Sequence, residues 1–182
     1  MRVFSIIITF LFLSKVCLQA SAGDIQTEQG EWLRNWFLAG PFPLTESSNE
    51  TRHLPGFETD FLIKSGGEKS PAVKEGQVIK FKGGSARWIK YKSQDSVINL
   101  DEIISKKSYV VAYAYTEIES DFEGLSLLAL GSNDGGRHWF NGEQVRDCPE
   151  ARGFTPDDDL IPVAVRKGKN TVLLKVEERG NK

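Results

Sequence analysis

The side chains best suited to chemistry are few in this chain. It has two histidines, His53 and His138, and two cysteines, Cys17 and Cys148. A zinc site needs His and Cys ligands at short, regular spacings, and no His-x-x-x-His or Cys-x-x-Cys pair occurs. A serine hydrolase fares no better. Gly83-Gly84-Ser85-Ala86-Arg87 and Gly124-Leu125-Ser126-Leu127-Leu128 each lack the closing glycine that a nucleophile elbow requires. Cys148 with a distant histidine could make a thiol nucleophile, but no local signature accompanies it, so a packed cysteine is expected. Glu117, Glu119, Asp121 and Glu123 could supply paired carboxylates for glycoside hydrolysis. Their alternation equally describes a solvated strand end whose charge discourages edge pairing, and that is the expectation. No catalytic residue is assigned, and a non-enzymatic chain is expected.

Two groups could bind rather than react. Asp157-Asp158-Asp159 offers consecutive carboxylate oxygens of the kind Ca²⁺ takes, without the glycine-containing spacing of a dedicated calcium loop, so it stands as a weak candidate metal site. Sugars dock on exposed aromatic faces while polar side chains fix their hydroxyls. For most of Trp32, Trp36, Trp88 and Trp139 the core is the expected place, because large aromatics dominate burial. Trp88 stands beside a Gly-Gly turn and is flanked by charge, so Trp88, Arg87 and Tyr91 are the candidate ligand-binding residues. Lys, Arg, Asp and Glu are interspersed, with a formal net charge of −2. No basic block could neutralise a run of phosphates, which argues against nucleic acid.

The elements that would position these residues begin after a leader. Met1-Arg2, an apolar run from Val3 to Leu13 and the small-residue segment Ala20-Ser21-Ala22 have the order of a secretory signal peptide cleaved after Ala22. The expected divisions are a signal peptide (1–22), a polar leader (23–30) and one β-sandwich domain (31–182), secreted or periplasmic. The apolar run is too short to span a bilayer, and no later segment is a transmembrane candidate. With Cys17 in the leader, Cys148 alone remains and no intrachain disulfide can form.

The domain reads as short strands. Glu31 to Ala39 is a first strand stopped by Gly40-Pro41-Phe42-Pro43. A long polar stretch from Leu44 to Gln77 follows, its middle anchored by Phe57, Phe61, Leu62 and Ile63, and it also carries the sequon Asn49-Glu50-Thr51. Val78–Lys82 and Ala86–Tyr91 form a hairpin about Gly83-Gly84-Ser85. In Tyr109–Tyr115 the period of two puts Tyr109, Val111, Tyr113 and Tyr115 on one face and the smaller Val110, Ala112 and Ala114 on the other. Leu125–Leu130 is expected to be a central strand buried on both faces. Asn141-Gly142 closes a second hairpin, and Lys167-Gly168-Lys169-Asn170 a third, between Ile161–Val165 and Val172–Val176. Strands at these spacings describe an all-β sandwich.

Three of these pieces resemble one family. Trp36-Phe37-Leu38-Ala39-Gly40-Pro41-Phe42 is similar to the "W-x-x-x-GPF" opening of β-jelly-roll domains in exported bacterial proteins. Gly131-Ser132-Asn133-Asp134-Gly135-Gly136, continuing through Trp139 to Asn141-Gly142, resembles the "GSDDG-x-x-x-W-x-NG" hairpin of galactose-binding-like domains. The stretch from Val165 through Gly168 and Asn170 to Val176 resembles their "G-x-N-x-L-L-x-K-V" closing strands. Asn133 replaces the usual first Asp, and either residue can hold such a turn. The family continues past its "K-V" strand into one more aromatic strand, whereas here Glu177–Lys182 follows, so the resemblance implies a truncated or split product with one sheet edge unpaired. It further implies a non-catalytic module that binds a glycan, often carried beside a hydrolase, with a structural calcium frequent in the class. A structural or protein-interaction domain of the cell envelope is the alternative, and a glycosidase or esterase using the acidic series the third. Oligomeric state is left open.

Overall fold

A computed structural model describes residues 5–11, 31–45, 54–149 and 152–180. The expected cleavage segment Ala20-Ser21-Ala22, Cys17, His53 and the sequon lie outside the described residues. The chain is all-β. Strands β1 (Ser5–Leu11), β2 (Glu31–Trp32), β3 (Asn35–Pro43), β4 (Val78–Phe81), β5 (Gly84–Arg87), β6 (Ile89–Lys92) and β7 (Val97–Asn99) precede a single-turn helix α1 (Leu100–Ile103). Strands β8 (Val110–Ser120), β9 (Gly124–Ser132), β10 (Gly136–Phe140), β11 (Glu143–Cys148), β12 (Asp159–Val165) and β13 (Gly168–Glu178) follow. One antiparallel sheet runs β12-β9-β1-β2, with β7 also on β1; the other runs β11-β10-β13-β8-β3-β6, and β4-β5 is a separate hairpin.

The two sheets face one another across a core to which both contribute. Leu128, Leu130, Ile161 and Val163 come from the first, and Trp36, Leu38, Ala112, Phe140, Val172 and Leu174 from the second. The larger sheet is covered on its other face too. There Ala39, Phe42, Val111, Tyr113, Tyr115, Trp139 and Leu173 are buried beneath Leu54, Phe57, Phe61 and Leu62 of the long irregular stretch, together with Ile79, Ala86 and Trp88. The alternation in Tyr109–Tyr115 therefore sorts two cores: the small residues meet the opposite sheet, and the bulky ones carry the loop layer.

Several connections differ from the sequence expectation. The first strand does not stop at Gly40; β3 passes through a cis Gly40–Pro41 bond, with a register shift between Ala39 and Phe42 on β8. The segment Lys167–Asn170 does not close a hairpin. β12 pairs with β9, whereas β13 pairs with β8 and β10, so the chain crosses from one sheet to the other. The segment is still a tight turn, with Gly168 at φ 86° and Asn170 bridging it. Its side-chain amide donates to the carbonyls of Arg166 (2.7 Å) and Gly168 (3.1 Å), while its Oδ1 accepts from the Arg166 N–H (2.9 Å). β9 is not buried on both faces along its length, since Leu125 is 67% exposed. Of the four loop anchors, Ile63 faces solvent.

The Asn141-Gly142 turn takes positive φ at both residues, as a tight hairpin joining β10 and β11 requires. Asn141 also ties this turn to β13, its side chain donating to Asn170 Oδ1 (2.8 Å) and accepting from the Thr171 N–H (2.9 Å). At the other end of β10, Asp134 adopts φ 58° and accepts from the Arg179 N–H (2.9 Å), and the Gly135 carbonyl accepts from the Glu177 N–H (3.0 Å). These motif residues are turn and edge locks.

Candidate functional site

The three residues expected to bind a ligand do not converge. Trp88 is fully buried and belongs to the layer over the outer face of the larger sheet, with its ring 6.5 Å from that of Tyr113. Tyr91 is half-buried against the core between the sheets, and Arg87 is exposed on β5. A neighbouring Gly-Gly turn and flanking charge signal a hairpin end, but they do not say which face of the hairpin meets the protein. Here the face carrying Trp88 is the one that packs. The exposed tryptophan is Trp32, 43% accessible, with the Arg34 guanidinium 5.6 Å from its ring centroid. Trp36 and Trp139 are in the core, as expected.

The aspartates are likewise committed. Asp159 is buried and its carboxylate is held by Arg146 (2.6 Å) and Arg152, while Asp158 pairs with Arg152 (3.1 Å). Asp157 is an exposed residue at φ 52°. Among the described residues no three His, Cys, Asp or Glu side chains come together as a metal site. Burial works to raise the Asp159 pKa, but the Arg152 hydrogen bond and the charges of Arg152 and Arg146 outweigh it and hold the carboxyl below its ordinary range. The carboxylate expected to serve a cation thus neutralises arginines at the end of the core.

Beside it, His138 is buried between the sheets with neither ring nitrogen hydrogen-bonded, so no bond joins it to the buried free thiol of Cys148. Burial pushes the imidazole pKa down from 6.5 to about 4, against the opposing charge of Asp159. The unfolded chain then takes up this proton as pH falls below about 6.5, and the folded chain does so only near 4. Stability is therefore lost as pH falls through that window, by about 3 kcal/mol from this group. Urea midpoints should fall steeply between pH 6.5 and 4.5, and His138→Leu should flatten the slope while leaving pH 7.5 stability within about 1 kcal/mol. An unchanged slope would remove His138 as the cause.

The acidic series behaves as a solvated strand end. Glu117, Glu119, Asp121 and Glu123 are exposed, and Glu117 accepts from Lys169 Nζ (2.7 Å) and the Tyr115 hydroxyl (2.9 Å). No family model, curated protein or solved structure matches this chain.

An open concavity with an aromatic wall lies where the long stretch meets the β4-β5 hairpin. Its volume is about 410 Å³, and it is lined by Thr59, Asp60, Phe61, Ile63, Lys64, Lys80, Phe81 and Lys82. Phe61 stacks on Phe42 at 4.6 Å, and Phe81 meets both rings, at 5.7 and 5.3 Å, so the aromatic wall is fixed by the core behind it. Asp60 is held in its turn, its two oxygens accepting from the N–H groups of Leu62 (2.8 Å) and Glu68 (3.2 Å). Lys64, Lys80 and Lys82 are exposed around the rim. Alternation in Val78–Lys82 explains the layout: Ile79 and Phe81 face inward, Lys80 and Lys82 outward. That alternation was visible in the sequence. The meeting of Phe81 with Phe61, 20 positions away, was not.

Proposed function

We propose that this chain is an exported, non-catalytic module of galactose-binding-like jelly-roll type that binds carbohydrate, at the cleft of Phe61 and Phe81 and not at Trp88. The observation that carries the reading is an open cleft whose wall is a core-braced aromatic cluster and whose rim is cationic. A sugar ring can lay its C–H face on such a wall, and ligand sites generally combine an apolar surface with a few polar groups that fix orientation. Three lysines and one carboxylate favour a saccharide bearing carboxylate or sulfate groups over a neutral one. The motif resemblance supports a module of this kind, but motif residues that lock turns give no ligand; the ligand class comes from the cleft.

The test is retention of the purified protein on a panel of neutral and acidic polysaccharides. Acidic polymers should be retained, with affinity falling as salt is raised because the rim lysines are solvent-exposed. Phe81→Ala should weaken binding about tenfold or more, as should joint replacement of Lys80 and Lys82 by alanine, while Arg87→Ala leaves binding unchanged. Absence of binding to every polymer, or binding indifferent to Phe81→Ala, overturns the reading. Glycoside turnover by the isolated protein overturns its non-catalytic part.

A further inference from the structure

The apolar run of the leader is a strand in this structure. β1 pairs with β9 over six residues, from Ile6 opposite Ser132 to Leu11 opposite Leu127. On its other side it pairs with β7, Ser5–Ile7 against Val97–Asn99, and with β2, Thr9 and Phe10 against Trp32 and Glu31. β1 is therefore an interior strand, and it is the sole ladder partner of both β7 and β2 among the described strands. Without it the first sheet reduces to the β12-β9 pair, facing six strands across the core. The β9 backbone from Leu127 to Ser132 would then present unpaired N–H and C=O groups beside the buried Leu128 and Leu130. An open row of that kind is a template for another strand, and backbone groups left unpaired in a buried setting are costly.

We propose that this place is a strand-acceptor slot: after the leader is removed, an extended, uncharged, apolar strand of a partner polypeptide fills it, running antiparallel to β9. The proposal rests on the reading of residues 1–22 as a cleaved export signal. The chemistry of the occupant follows from what the slot holds here, Ser-Ile-Ile-Ile-Thr-Phe-Leu, seven residues without a charge and rich in β-branched and aromatic types. Its direction follows from the register. Main-chain hydrogen bonds to two neighbouring strands supply the affinity, and the alternation of the guest, with every second residue opposite Leu128 or Leu130, supplies the selectivity.

The experiment uses the full chain with a protease site introduced between Cys17 and Gly23, folded intact and then cut. A labelled, lysine-flanked peptide carrying Ser5–Leu11 is added in excess, beside one bearing Ile7→Pro and Ile8→Pro. Expected is replacement of the cut leader by the first peptide, with slow amide exchange retained over Leu127–Ser132 and at least tenfold less uptake of the proline peptide. Equal uptake of both peptides, or none of either, overturns the slot. Concentration-dependent dimerisation of the cut chain that protects the same amides overturns the partner strand in favour of a second copy. N-terminal sequencing of the exported product tests the underlying reading separately, since a product that still begins at Met1 overturns cleavage whatever the peptides do.

Discussion

Trp88→Ala is expected to destabilise the protein by about 3–5 kcal/mol, the range for truncating a large buried aromatic. Trp88 has no accessible surface and lies in the layer that joins the β4-β5 hairpin to Tyr113 on the larger sheet. Its backbone is part of the same junction, the N–H donating to the Gln77 carbonyl (3.0 Å) and the carbonyl accepting from the Gly76 N–H (2.8 Å). The indole N–H has no hydrogen-bond partner, so its removal forfeits no bond. Trp88→Phe should then cost only about 1–2 kcal/mol, for the smaller ring volume. Urea unfolding of the three proteins measures both. A Trp88→Ala protein as stable as the parent would mean that the hairpin does not depend on this ring. Lost glycan binding in Trp88→Ala would have to be read against its folded fraction, which is why Phe81→Ala is the informative binding variant.

Lys175→Ala should have a comparable effect through electrostatics, again about 3–5 kcal/mol. The Lys175 side chain has no exposed surface. Its Nζ donates to Glu68 Oε1 (2.7 Å) and the Thr59 carbonyl (2.8 Å), and it lies 4.8 Å from the Phe57 ring centroid and 5.5 Å from that of Tyr113. Burial lowers its pKa, and the charge and hydrogen bond of Glu68 resist that shift. The same carboxylate oxygen accepts from the Tyr113 hydroxyl (2.6 Å), and burial with that neighbouring charge raises the phenol pKa well above its ordinary value. Deleting the ammonium leaves Glu68 without its cation beside aromatic rings. Replacing both members with uncharged groups, Lys175→Met with Glu68→Gln, should recover at least half of the loss, because neither charge then needs a partner. Since the contacts pin residues 54–76 to the sheet, trypsin should cut Lys175→Ala faster at Lys64, Lys69 and Lys74. Unchanged cleavage there would show that the aromatic contacts alone hold the layer.

A second tie supports the same layer at the sheet edge, where the Arg137 guanidinium donates to Glu58 (3.1 and 3.2 Å) and Asp147 (3.0 Å). Glu58 is 56% exposed, so this pair contributes far less than Lys175.

Local physics was legible in the sequence wherever a residue's neighbours along the chain decide its environment. The period of two in Tyr109–Tyr115 separated the two cores, and the positive-φ demands of Asn141-Gly142 and Gly168 marked tight turns. Exposure at the acidic strand end followed from the same alternation. These features depend on backbone sterics and on which side of a pleat a side chain emerges, both fixed within a few residues.

Tertiary structure decided which face had company. The strands flanking Lys167–Asn170 look like a hairpin, yet each finds its ladder in a different sheet, because a turn sets direction and not pairing partners. Trp88 looked exposed beside its turn, but it is buried in one cluster with Leu54, Phe57, Phe61 and Leu62 from far upstream and Tyr113 from downstream. Asp159 looked available to a cation until Arg146 and Arg152 arrived from another strand and loop. The apolar run near the N-terminus, which reads in sequence as an export leader, pairs with β9 in the fold, since a strand edge recognises extended uncharged chain whatever its origin. Each outcome turns on contacts between distant segments, and no spacing within either segment encodes the other.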